Sequence, residues 1–130
     1  MGTDIRPFGY ELLLDLYECA PEVVNDLRVC YDFLENAVVE LKVEKQSPPF
    51  IFQSPATFPD KAGLSGWVPL IESGIQLHTL TEKNFVSIDY YTCSTVDDAV
   101  EKQLIALAER TFFPKRFDKI LVERGKDYNK

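Results

Sequence analysis

A chain of 130 residues, 45% apolar and 27% charged, makes one domain with a modest core, and no apolar run approaches the roughly 20 residues of a membrane-spanning helix. Fourteen basic against 21 acidic residues leave a net charge of −7, which repels a phosphate backbone, so no nucleic acid is expected as partner. Three widely spaced cysteines, Cys19, Cys30 and Cys93, and a single histidine, His78, form neither a disulfide framework nor a metal-ligand pattern, so no metal is expected. The first residues lack the basic and apolar regions of a signal peptide, and cytoplasm is the expected compartment.

Residues 9–19, with Leu12, Leu13, Leu14 and Leu16, read as a buried strand. Pro21 suits a helix start, and the spacing of Val23, Val24, Leu27, Cys30, Leu34, Val38 and Leu41 predicts one amphipathic helix over 21–42. Pro48 and Pro49 end it; 50–55 reads as a short strand and 58–61 as a loop. Residues 64–72, 75–81 and 85–92 form a meander broken at Ser73-Gly74 and at Glu82-Lys83-Asn84. Ser94 is read as the N-cap of a second helix over 95–111. A last strand spans 117–123, and the polar tail from Arg124 should fray.

This order predicts an α+β fold in a single domain, 1–130. It is a two-layer sandwich, a mostly antiparallel sheet with two helices on one face. The middle strands carry Trp67, Ile71, Tyr90 and Tyr91 at mixed parity, so both sheet faces need cover. A homodimer packed sheet on sheet supplies it.

The polar oddities fall within about thirty residues: Ser65 between glycines, Glu72-Ser73-Gly74, His78, Glu82 and Cys93. Each also has an ordinary structural reading, as turn, hairpin tip, strand histidine or small buried hydrophobe. Spacing alone does not separate the two.

Together, Gly63-Leu64-Ser65-Gly66, Glu72-Ser73, His78-Thr79-Leu80-Thr81-Glu82 and Thr92-Cys93 resemble the signature of the prokaryotic pyruvoyl-dependent S-adenosylmethionine decarboxylases. Tyr17-Glu18-Cys19 is similar to the end of that family's first strand. The resemblance implies a proenzyme that cuts itself between Glu72 and Ser73, into 1–72 and 73–130. The Ser73 hydroxyl attacks the Glu72 carbonyl, Ser65 supports the tetrahedral intermediate, and His78 removes the Ser73 α-proton. A pyruvoyl cofactor results, which forms a Schiff base with the substrate amine and accepts electrons as carbon dioxide leaves. Cys93 is implied as the proton donor to the substrate carbon. Glu82 is implied to contact the substrate. The product would feed spermidine and other polyamine biosynthesis.

The family run usually reads His-Thr-Trp-Pro-Glu, whose aromatic faces adenine; here Leu80-Thr81 stand there, so Leu80 marks an altered substrate-binding position. Glu11 stands where the family usually has histidine, and Phe58 directly precedes Pro59. Two other readings therefore accompany the first. One is the same chemistry on ornithine or arginine; the other is a non-catalytic paralogue that binds a ligand or partner.

Overall fold

The computed structural model describes residues 6–55 and 57–129. β1 (Gly9–Tyr17) opens the fold. Its alternation is a consequence of the pleat: Leu12, Leu14 and Leu16 point into the core at 0–1% exposure, while Glu11, Leu13 and Asp15 point the other way.

The helix expected over 21–42 is two helices, α1 (Pro21–Val24) and α2 (Leu27–Glu40). The apolar spacing runs through the break, but Asp26 stops the first helix and caps the second, accepting hydrogen bonds from the backbone N–H of Arg28 and Val29. β2 (Phe50–Gln53) is short, and Pro59–Lys61 in the expected loop makes one 3₁₀ turn. β3 (Leu64–Leu70) and β4 (Ser73–Leu80) form a hairpin whose loop is only Ile71-Glu72. Ser73 therefore starts a strand rather than lying in a break. β5 (Phe85–Thr92) follows a 3₁₀ turn at Thr81–Lys83.

The second long helix, α3 (Asp98–Phe112), is capped by Asp97, which accepts from Val100 N–H at 2.9 Å, and not by Ser94. The Ser94 N–H instead donates to Thr92 Oγ1 at 3.0 Å, closing a turn after β5. β6 (Arg116–Arg124) is longer than expected, and Tyr128 beyond it packs edge-on against Phe8 at 5.3 Å, so Arg124 does not begin a frayed tail.

The six strands make one fully antiparallel sheet in the order β2-β3-β4-β5-β1-β6. α2 and α3 cover one face, where Phe33 and Phe112 meet at 5.4 Å over Leu12, Leu14, Ile75, Leu77 and Ile88. This is the expected α+β two-layer architecture, with α1 as an added turn of helix. No helix among the described residues is long and apolar enough to cross a membrane. Among the described residues the opposite face carries no helix. On it Phe50 and Trp67 stack at 6.0 Å while remaining 44% and 48% exposed.

Candidate active site

The β3–β4 hairpin sets out most of the candidate residues. Gly63 makes the strand entry possible, because a Cβ there would lie 1.8 Å from the Thr79 carbonyl oxygen. From that point Ser65 stands directly opposite His78 on the helix-free face. Ser65 Oγ lies 2.9 Å from His78 Nδ1, a hydrogen bond between a half-buried hydroxyl and an exposed ring. Leu80 follows on the same face, and with Phe85, Ser65 and His78 lines a cavity of about 370 Å³. Glu82 is exposed in the 3₁₀ turn just beyond.

The other end of the hairpin holds the candidate scissile bond. Glu72 has φ 55, the left-handed region that favours glycine, and it is the residue directly before Ser73. Holding a non-glycine residue there costs on the order of 1–3 kcal/mol. Ser73 lines a cavity of about 380 Å³ with Glu11, Trp67, Asp89, Tyr91 and Arg124. The Trp67 indole lies over Gly74, where a Cβ would come 2.9 Å from Nε1. The β4–β5 register, Gly74 opposite Tyr91, brings this end of β4 beside the strand end that leads into Cys93. Cys93 is half-buried, and its own cavity of about 140 Å³ is shared with Tyr10, Thr95 and Tyr128.

One protomer thus brings together two groups and keeps them apart. Ser65, His78, Leu80 and Glu82 gather at one end of β4; Glu72, Ser73 and Cys93 gather at the other. Ser73 and His78 are separated by five residues of one extended strand, about 16 Å at the usual rise. Sequence spacing gave no sign of this.

Several residues at the Ser73 end escaped the sequence reading. Arg124 pairs with Glu11 at 2.6 Å and sits over the Tyr91 ring at 5.1 Å. The only signal was Glu11 itself, a charge in a run of leucines. Asp15, also unremarked, faces the same side of the sheet at the His78 end, where Ser87 lies between them, and its carboxyl pKa is raised above the ordinary value by burial and by the neighbouring charges of Asp118 and Asp89. Burial pushes the thiols of Cys19 and Cys30 up to about 11 and about 12, which holds both as inert core groups.

A family model described as S-adenosylmethionine decarboxylase matches residues 10–125. Among curated relatives, the S-adenosylmethionine decarboxylase proenzyme of Symbiobacterium thermophilum is 34% identical over 94 residues, 72% of this chain and 67% of that protein. The proenzyme of Thermococcus kodakarensis is 37% identical over 94 residues, 72% of this chain and 61% of that one. The aligned stretch therefore spans about two thirds of these relatives' own lengths. The crystal structure of the adenosylmethionine decarboxylase from Aquifex aeolicus superposes with a TM-score of 0.76 at 28% identity, covering 92% of both chains. With nearly its whole length matched by that model, and the same fold in a solved relative, this chain belongs to the S-adenosylmethionine decarboxylase family.

Proposed function

We propose that the chain is a self-processing pyruvoyl-dependent decarboxylase of S-adenosylmethionine, cut between Glu72 and Ser73 and assembled as a homodimer. The observation that carries this reading is Glu72 at φ 55 in a two-residue turn immediately before Ser73. A strained peptide at that bond is predisposed to rearrangement. Ser73 Oγ adds to the Glu72 carbonyl carbon, the C–N bond breaks, and an ester replaces the amide. Loss of the Ser73 α-proton to His78 then expels the Glu72 carboxylate and leaves dehydroalanine. Water completes the sequence by releasing ammonia and leaving a ketone at position 73.

The residues present fit that group: Ser73 lies at a strand start beside a cavity, with a glycine next to it over which Trp67 closes. A pyruvoyl group there supplies a ketone for the substrate amine and a conjugated carbonyl that takes the electron pair as carbon dioxide departs. Cys93, at the same end of the sheet, returns a proton to the substrate carbon. Leu80 and Glu82 line the substrate-binding end.

Ser65 and His78 cannot serve Ser73 of their own chain across about 16 Å of rigid strand. Packing two helix-free faces about a two-fold axis that runs across the strands reverses the strand ends, so each chain's Ser65–His78 pair comes over the other's Ser73. The half-exposed Phe50 and Trp67 fit such a buried surface.

The test is complementation. Ser73→Ala and His78→Ala chains, each unable to process alone, are co-expressed. The His78→Ala chain then cleaves at 72/73 within mixed dimers, and the mixture releases carbon dioxide from S-adenosylmethionine. No cleavage in verified mixed dimers would overturn the shared site. Cleavage with release only from ornithine or arginine would overturn the substrate.

A further inference from the structure

The two edges of the sheet differ. β2 is four residues long, too short to template another strand, whereas β6 runs for nine and is exposed throughout except at Phe117. Its centre is apolar, with Ile120, Leu121 and Val122 at 54%, 42% and 37% exposure. A long apolar edge whose outer backbone row is unpaired among the described residues is a ready surface for strand addition.

We infer that β6 docks on β6 of a second copy of this chain, antiparallel, about a two-fold axis at Leu121. Regular antiparallel pairing sets residues of like hydrogen-bonding parity opposite one another, so a two-fold axis must pass through a residue position. An axis at Ile120 sets Arg116 against Arg124, and one at Lys119 sets that lysine against itself. An axis at Val122 places Ile120 opposite Arg124 and Leu121 opposite Glu123. Only the axis at Leu121 is complementary throughout. It sets Asp118 against Arg124 and Lys119 against Glu123, each twice, with Ile120 against Val122 between them. The charged groups also have partners within the chain: Lys119 binds Glu101, Arg124 binds Glu11, and Asp118 accepts from Tyr17. A guanidinium with five N–H groups and carboxylates with two oxygens serve both sets. Ile120, Val122 and Arg124 turn their side chains to the helix-free side, but the backbone row that would accept a second strand lies along the sheet edge, and the inference does not depend on catalysis.

The experiment is register-specific crosslinking of the native protein. Leu121→Cys places two thiols on the axis with Cα atoms about 4.5–5.5 Å apart, the separation that disulfides span. Mild oxidation should give a 121–121 disulfide, identified by peptide mass and so separated from adducts of Cys93. It should form on the order of tenfold or more faster than the disulfide of Val39→Cys on the exposed side of α2, because docking raises local thiol concentration. Equal rates overturn the inference. Should Leu121→Cys fail to fold, Leu121→Lys serves instead: it puts two cations on the axis and should halve the sedimenting mass. An unchanged mass in folded Leu121→Lys overturns the inference equally.

Discussion

Ser65 Oγ and His78 Nδ1 are 2.9 Å apart across β3 and β4, directly opposite one another on the helix-free face. If His78 takes the Ser73 α-proton, His78→Ala should stall after the ester forms, slowed by about 10²–10⁴-fold as for other lost general bases. Mass spectrometry should then find an uncut chain that hydroxylamine splits at 72/73. Spontaneous cleavage at the wild-type rate would remove His78 from the mechanism.

Glu72 at φ 55 stores backbone strain that glycine would not. In a Ser73→Ala background, which keeps the chain whole, Glu72→Gly should raise unfolding stability by about 1 kcal/mol. Glu72→Val, β-branched, should lower it. Urea titrations read both, and a destabilising glycine would show that the turn is not strained.

The three cysteines should behave differently toward iodoacetamide at pH 8. Cys19 and Cys30 are buried and pushed up to about 11 and about 12, so they remain thiols. The folded protein should therefore gain one adduct, at Cys93. Cys93→Ala should still cut at 72/73 while turnover falls and the enzyme inactivates itself. Unaltered turnover would return Cys93 to an ordinary packing role.

Asp15 has its pKa raised by burial first and by Asp118 and Asp89 next. A carboxylate with a raised folded pKa makes the folded state bind more protons than the unfolded one. Stability therefore falls as pH climbs from the ordinary value of 3.8 through the raised one. Asp15→Asn should raise the thermal midpoint at pH 7, and the gain should vanish as the pH drops below the ordinary carboxylate range. A pH-independent gain would point to packing instead.

Leu80 shares a cavity with Phe85, Ser65 and His78. Leu80→Trp restores a flat ring, worth about 1–3 kcal/mol of stacking on a base, and should lower KM for S-adenosylmethionine by about 5- to 150-fold with kcat nearly unchanged. A higher KM would mean that the pocket is shaped for a smaller amino acid.

β1 was legible as an apolar run, Leu12-Leu13-Leu14 with Leu16, and β5 because Val86, Ile88 and Tyr90 alternate with Ser87 and Asp89, as a strand with one buried face must. The break between α1 and α2 was not, since Val24 and Leu27 keep helical spacing across it and only the Asp26 side chain reveals the new start. Choosing Ser94 over Asp97 as the cap failed for a similar reason: both residue types cap helices, and backbone direction decides between them. The reactive positions were visible by type and order. Their distribution over two ends of one strand was not, because sequence distance says nothing about straightness.

The order β2-β3-β4-β5-β1-β6 has a consequence for the cut proposed between Glu72 and Ser73. Residues 1–72 supply β1, β2 and β3, and residues 73–130 supply β4, β5 and β6. The two pieces interleave, meeting along β3–β4, β5–β1 and β1–β6. Severing Glu72 from Ser73 therefore releases nothing. The pieces stay zipped by three ladders and a common core, and the nick only frees two chain ends at a hairpin tip. What changes is the unfolded state, where each chain becomes two, so the stability of the nicked protein depends more steeply on its own concentration than that of the uncut one.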